Sequence, residues 1–519
     1  MKLGEVAVLG GGPGGLYAAR LLKLAQPWCA VDVYEQGAPE TTFGFGVGLA
    51  AGTQQKLRLA DADSLADILN HSHPHEMSLR VGDAVARMPN DNLRAIGRAT
   101  LLNVLQRHAI AAGARLHHGQ RADVDSLDAD LVIAADGVSS ATRDRRAADF
   151  GAQINVGEGL YLWCGTDFAL PRALFMPVAT DAGTFVTHAY PYAADRSTFL
   201  IETDEQTWRA AGFDVTTDTL ASGPADASDE VSLRCLEKAF ADPLQGHALI
   251  GNRTRWLRFR TVRCERWHHG NVVLLGDAAH TAHYSIGSGT KLAMEDAIAL
   301  VAALTEHDTV ADVLSRYETD RRPAVEHLQA VAARSQRWWD TFPGRLGLPV
   351  NQMLVSYMTR AGKVPLTRFA ESTPHVVRAA LASYAPGALA DDSAHLPVGD
   401  ELIDFVVTQP LRHAGRTYPD RTSRPQGTIA EIEFTDTDPW GPKADDALAR
   451  LDDAISSGAA AVRVSGPDHR DDLLNRLDLG ERLRSRGGGL PVIIRGPREY
   501  LPDLAAGLVA ARADLIEFG

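Results

Sequence analysis

EVAVLGGGPGGLYAARLLKLAQPWCAVDVYE, residues 5–35, decides how this chain begins to fold. The apolar run VAVLG reads as a buried strand, LYAARLLKLA as a helix and VDVYE as a second strand, a βαβ unit in about thirty residues. Gly10, Gly11, Gly12, Pro13, Gly14 and Gly15 form the first turn and satisfy GxGxxG between strand and helix. Where side chains are absent, backbone N–H groups and the helix N-terminus can approach a pyrophosphate. Glu35 ends the second strand twenty positions after Gly15, where a carboxylate accepts hydrogen bonds from both hydroxyls of an unphosphorylated ribose. Strand, turn, helix and acid at this spacing favour a cofactor containing ADP over a merely tight turn. They do not separate FAD from NAD.

Outward from this unit, 519 residues exceed one ordinary domain and allow two or three. Hydrophobic content of 45% with 23% charged residues is globular. No apolar run approaches the ~20 residues of a membrane span, so no membrane association is expected. The first apolar stretch runs straight into glycines without a small-residue cleavage site, as a buried strand rather than a signal peptide. A net charge of −14 disfavours nucleic acid as a partner. Cys29, Cys164, Cys235 and Cys264 lie far apart without a CxxC pair, against a disulfide framework or a zinc site and in keeping with the cytoplasm. His71, His73 and His75 in HSHPH suggest a metal, yet lack an acidic or thiol partner at convincing spacing. A surface loop is expected there, and no metal.

Composition divides the chain into modules. Residues 1–150 continue the opening domain with a helix at 99–112 and the apolar strand DLVIAADG at 130–137. Residues 151–263 change to short aromatic-rich runs such as LYLWCG, GTFVTHAYPY and RSTFLIET, whose alternation predicts an inserted antiparallel sheet. Residues 264–384 return to the first domain through NVVLLGD at 271–277, then continue as helix with Trp338 and Trp339 expected in a core. Residues 385–425, rich in Pro, Gly, Asp and Ser, read as a linker. Residues 426–519 alternate short strands and helices as a small α/β module.

Two later segments bear on the cofactor. Ala135, Asp136, Gly137, Val138, Ser139, Ser140, Ala141, Thr142 and Arg143 resemble the DG fingerprint of single-component flavoprotein hydroxylases. Gly276, Asp277, Ala278, Ala279 and His280, followed by Gly287, Ser288, Gly289 and Asp296, resemble the GD fingerprint of the same group. The GD segment also has its own physical sense. Asp277 at a strand's carboxyl end suits ribityl hydroxyls, and Gly287, Ser288, Gly289 and Thr290 open a helix whose amides can face an anion such as the N1 and O2 edge of reduced flavin.

Across residues 1–370 the chain therefore resembles the group A flavoprotein aromatic hydroxylases. The resemblance implies a Rossmann-like FAD-binding α/β domain of para-hydroxybenzoate hydroxylase type with an inserted antiparallel-sheet substrate domain. It also implies NADH or NADPH as transient reductant, and O2 forming a flavin C4a-hydroperoxide that attacks an electron-rich ring. Arg98 matches an arginine that relatives direct at the cofactor, a surface charge being the other reading. Lys291 falls where many relatives place an asparagine beside the flavin, unless it is a solvated helix lysine. Tyr284 stands where most members have proline, and with His283 it borders the reacting ring. Phe43, Phe45, Gly46 and Gly48 are candidates for the substrate side, a packing loop being equally plausible.

The wording of the GD segment is similar to the branch containing salicylyl-CoA 5-hydroxylase and 2-aminobenzoyl-CoA monooxygenase/reductase, which implies an aryl thioester of coenzyme A as substrate. NRTRWLRFRTVRCER at 252–266 offers Arg258 and Arg260 on one strand face for phosphates, against the alternative of an ordinary solvated strand. QPLRHAGRTYPDR resembles the opening of an old yellow enzyme barrel and ARADLIEFG its late strand. Only about a hundred residues separate them, too few for the ~200 or more of a complete (β/α)8 barrel, so a truncated remnant is expected. A thioredoxin-like tail is the competing reading. A homodimer is a further expectation. An aryl-CoA epoxidase or multi-step ring oxidase, a hydroxylase of free acids or phenols, and a noncatalytic scaffold with a C-terminal docking module stay open. A flavin halogenase is disfavoured because its WxWxIP segment is missing.

Overall fold

A computed structural model describes every residue except 39–43, 90–91, 222–223, 225, 390–394 and 488. The chain forms two compact units, Met1–Ser78 with Asn90–Gln336, and Leu79–Pro89 with Arg337–Gly519. Residues 337–384 thus group with the C-terminal part.

In the first unit the opening βαβ motif is realised as strand Glu5–Leu9, helix Pro13–Ala25 and strand Ala30–Glu35. These strands sit centrally in a six-stranded sheet ordered His268–His269, Val272–Leu274, Leu131–Ala134, Glu5–Leu9, Ala30–Glu35, Arg115–His118. All neighbours pair in parallel except the first two. Leu131, Val132, Ile133 and Ala134 are all buried, as a parallel strand covered on both faces requires. Val6, Val8, Leu16, Tyr17, Ile133 and Leu274 belong to one core.

The inserted antiparallel sheet is also present. It runs Leu249–Ile250, Ala152–Thr166, Arg196–Thr203, Gly183–Ala193, Ala173–Thr180, and Trp256–Cys264 pairs with the long strand Ala152–Thr166. Leu162, Cys164, Phe185, Phe199, Ile201 and Trp256 form a second core behind it. A small sheet joins Gly46–Leu49, Arg94–Gly97 and His73–Pro74. The HSHPH run is therefore not simply a surface loop. His73 and Pro74 are a sheet-edge strand, and His75 is 9% exposed and stacked on Tyr190 at 5.9 Å. Pairing with Arg94 and Ala95 draws this polar run inward.

The second unit contains a four-stranded parallel sheet in chain order, Ile429–Glu433, Ala461–Ser465, Val492–Gly496 and Leu515–Phe518. Helices Pro442–Ser456, Arg470–Arg486 and Leu501–Val509 supply the crossovers. A linker over 385–425 is corrected by helix Gly399–Thr408 and hairpin strands Leu411–His413 and Arg416–Tyr418. Leu402, Ile403 and Val406 recur at helical spacing and are buried. The Pro, Gly and Asp around them masked that period. Trp338 and Trp339 are core residues, 2% and 4% exposed.

Arg345 is 5% exposed, holds both oxygens of Glu481 at 2.7 and 2.6 Å and stacks over Trp338. Breaking a buried pair strands its partner's charge. Arg345→Ala is expected to destabilise the second unit by about 3–5 kcal/mol in urea denaturation, with Arg345→Met costing less.

Candidate cofactor and substrate site

The glycine turn is shaped by contact as well as by phosphate access. Gly10 has φ +104°, and a Cβ there would strike the Ala135 carbonyl at the end of the neighbouring strand. A Cβ on Gly15 would collide with the Gly10 carbonyl oxygen, and one on Gly14 would lie 2.6 Å from Leu275 Cδ2. Gly12 caps helix Pro13–Ala25 with Pro13 in its first turn, and a Cβ on Gly12 meets nothing within 4 Å. The turn is thus closed towards the sheet and open at the helix N-terminus. Glu35 accepts from the backbone N–H of Gly11 at 2.8 Å and of Gly37 at 2.6 Å, which places its carboxylate against the turn.

The DG segment follows the strand beside Glu5–Leu9, and the GD segment follows the strand beyond that one. Asp136 Oδ2 accepts from the Thr142 amide and hydroxyl, while Oδ1 is buried without a hydrogen-bond partner among the described residues. Gly137 has φ +80° and open space at its Cβ position. Arg143, fully buried, donates to Val138 O and Ala278 O and so ties the two fingerprints together. Gly276 has φ +63°, and its N–H donates to Asp296 Oδ2 at 3.0 Å. His280 Nε2 lies 2.8 Å from the same oxygen, and Arg321 Nε donates to Asp296 Oδ1 at 2.9 Å.

Asp277 projects from this clamped loop. Its surface is open, yet desolvation by the surrounding protein raises its carboxyl above the usual range, with His280 and Arg98 opposing the rise. Arg98 begins helix Arg98–Ala111, donates its N–H to Phe45 O at 2.6 Å, and keeps a buried Nε without a hydrogen-bond partner among the described residues. Gly287 turns at φ +60°, and Ser288, whose buried Oγ likewise lacks a partner, precedes Gly289 and Thr290 at the start of helix Gly289–Glu306. Three orphaned polar atoms on three separate segments fit a group with many polar atoms, such as FAD.

The substrate candidates divide. Phe45 is half-buried and leaves no room for a Cβ on Gly165, while Gly46 is held by Thr198 Oγ1 and the Tyr190 hydroxyl, both at 2.8 Å. Their segment therefore runs between Arg98 and the inserted sheet. Phe43 lies outside the described residues. Tyr284 packs among Tyr161 at 4.8 Å, Phe259 at 5.8 Å and His188 at 6.5 Å. Desolvation pushes the Tyr161 hydroxyl up to about 12, with Arg260 and Asp277 near enough to influence it. That puts the ring cluster beside the GD loop. His283 bonds Ser285 Oγ, which bonds Ser335 Oγ. Lys291 turns back to Glu295 at 3.5 Å, a carboxylate that Lys56 and Arg321 also approach.

Arg258 and Arg260 lie on strand Trp256–Cys264 but are drawn to different partners. Arg258 binds Glu205 at 2.7 Å and the Glu158 carbonyl, whereas exposed Arg260 donates to Ser139 Oγ of the DG loop at 2.8 Å. Two further groups carried no role in the sequence reading, Glu202 and His188, both buried in the inserted sheet. A lone acid inside RSTFLIET was the available signal.

A model of the FAD binding domain family matches residues 4–332. The chain is 40% identical over 342 residues to a salicyloyl-CoA 5-hydroxylase of Streptomyces sp, covering 65% of this chain and 66% of that protein. It is also 40% identical over 363 residues to a 3-hydroxy-4-methyl-anthranilyl-aryl-carrier-protein 5-monooxygenase of Streptosporangium sibiricum, covering 69% and 95%. A tetrameric form of 2-methyl-3-hydroxypyridine-5-carboxylic acid oxygenase shares the fold, with TM-score 0.53 and 21% identity over 66% of this chain and 94% of that one.

Two outcomes are expected of the site. Arg98→Met is expected to weaken FAD binding about ten- to a hundredfold, the loss of one charge-assisted hydrogen bond, read by flavin fluorescence. Burial raises the Asp296 carboxyl, but His280 and Arg321 outweigh it and hold the group below the usual range. Its stabilisation is therefore complete above the unfolded value of about 4 and is lost as pH falls through the lower folded value. In urea denaturation, Asp296→Asn is expected to be weaker by about 3–5 kcal/mol at pH 7 and to show a shallower decline on acidification.

Proposed function

The chain belongs to the FAD binding domain family and is an FAD-dependent monooxygenase of the aromatic hydroxylase kind, and from that premise we propose that it hydroxylates the ring of an aryl-CoA thioester. The observation that carries this reading is the meeting of two surroundings at one loop. Asp277 is exposed near Arg98, and Arg98, Asp136 and Ser288 keep buried polar atoms without hydrogen-bond partners among the described residues, while Tyr284 of the same loop stands among Tyr161, Phe259 and His188.

In this reading the glycine turn and Glu35 hold the ADP half of FAD, and Asp277 accepts from the ribityl chain. Arg98 donates to the cofactor, and the first turn of helix Gly289–Glu306 faces the negative edge of the reduced ring. Bound FAD, reduced by NADH or NADPH, supplies the oxygen atom taken from O2. The protein's own task is to orient the substrate ring and exclude water, which the packed rings of Tyr161, Phe259 and Tyr284 suit.

The thioester reading is supported by the two 40% identical relatives, whose names specify CoA and an aryl-carrier protein. Exposed Arg260 beside the DG loop supports it further, as a cation for a phosphate on an otherwise acidic chain. Four sequential parallel strands support reading the C-terminal part as a barrel remnant. Four free cysteines suit a reducing cytoplasm, and among the described residues no helix is long and apolar enough to cross a membrane.

The purified protein is expected to carry FAD. NADH or NADPH oxidation should be stimulated at least about tenfold more by salicylyl-, aminobenzoyl- or benzoyl-CoA than by the matching free acids, the effect of about 1.4 kcal/mol in transition-state binding. Stimulation by free acids alone would reject the thioester. Stimulation only by carrier-bound aryl groups would replace CoA with a carrier protein.

A further inference from the structure

Strand Arg196–Thr203 is buried from Ser197 onward, and Glu202 is the acid within that buried run. Its Oε2 lies 3.2 Å from Nε2 of His188 on the neighbouring strand Gly183–Ala193. Its Oε1 is sealed from solvent and has no partner of hydrogen-bond geometry among the described residues, while the Tyr284 hydroxyl is a second side-chain donor to the carboxylate beside His188. Burial alone would raise the carboxyl, but His188, His283 and Tyr284 outweigh it and hold the group below the usual range. At neutral pH Glu202 is thus an ionised group that only accepts hydrogen bonds.

Rings surround this acceptor. Phe175 lies edge-on to His188 at 5.1 Å, and His188 faces Tyr284. Tyr284 meets Tyr161 and Phe259, and Phe259 meets His283 at 4.9 Å. Tyr284 and His283 belong to the loop that begins at Asp277, so the carboxylate borders an aromatic cluster that is joined to the Asp277 loop.

We propose that Glu202, held by His188, selects substrates whose reacting ring carries a hydrogen-bond donor, a hydroxyl or an amino group. The inference rests on the hydroxylase reading above and adds the substituent that the ring must bear. A ring O–H or N–H directed at Oε1 gives that oxygen a hydrogen bond, whereas a ring without a donor leaves one oxygen of the His188-paired carboxylate unsatisfied. The proton stays on the substrate. Accepting it in a hydrogen bond leaves more electron density on the ring oxygen or nitrogen, which enriches the ortho and para carbons for attack by electrophilic oxygen. Glu202 is therefore a specificity residue and His188 the residue that positions it.

The FAD-loaded full chain is titrated with salicylyl-, 2-aminobenzoyl- and benzoyl-CoA and with the three free acids, and dissociation constants are read from the perturbed flavin spectrum. Donor-bearing rings are expected to bind at least about tenfold more tightly than the benzoyl counterpart. Glu202→Gln is expected to bring that ratio towards unity, and Glu202→Asp to restore part of it. Equal binding of rings with and without a donor by the unaltered protein overturns the inference whether or not the variants fold. A ratio unchanged in Glu202→Gln also overturns it and leaves the Glu202–His188 contact as a structural ion pair. A donor preference confined to free acids sustains the role of Glu202 and removes the thioester, whereas tight thioester binding without preference does the reverse. Binding of none of the six overturns both.

Discussion

Asp296 is the constraint on which the cofactor side of this protein depends. A fully buried carboxylate is costly unless every oxygen is compensated. Here one oxygen takes the Gly276 amide and His280, and the other takes Arg321. That three-way bond turns the chain back immediately after strand Val272–Leu274 and leaves Asp277 facing outward. Gly276 and Gly14 complete the fit, because a Cβ on either would press on Ala293 of the helix that follows the loop. The glycine turn, the GD loop and helix Gly289–Glu306 are consequently one packed assembly.

The inserted sheet contributes a different chemistry. Its inner strands bury apolar side chains almost throughout, and in that low-polarity setting the few ionisable groups become specific. Glu202 and His188 sit on adjacent strands where a diagonal pair of side chains can touch. Tyr284 approaches them from the other domain of the same unit. In the proposed reading substrate recognition and cofactor binding share the loop from Asp277 to Ser288, so a movement of that loop would alter both.

The second unit obeys ordinary α/β rules. In its four-stranded sheet each strand is parallel to the next and separated from it by a helix, the connection that parallel strands require. Four such strands form an open sheet among the described residues, half the number that closes a (β/α)8 barrel. Its stability leans on buried arginines that are paired or stacked. Arg345 binds Glu481, and Arg421 lies 4.4 Å over the Tyr384 ring.

The glycine turn was legible because its constraints are local. Gly10, Gly14 and Gly15 are needed where backbone and neighbouring strands come too close for a Cβ, and Glu35 follows at a fixed strand length. The order of fingerprints was legible for the same reason. The helix at 399–408 was hidden because its buried period is short and its neighbours resemble a linker. The two strand arginines were readable as neighbours on one face, but not as partners of Glu205 and Ser139, since those lie far along the chain. By itself the sequence determined a flavin nucleotide fold with an inserted sheet, because backbone geometry and hydrophobic period are written residue by residue. Only the tertiary structure decided that Glu202, His188 and Tyr284 meet, because strand register and the path of a distant loop set those contacts, and neither leaves a mark on the residues concerned.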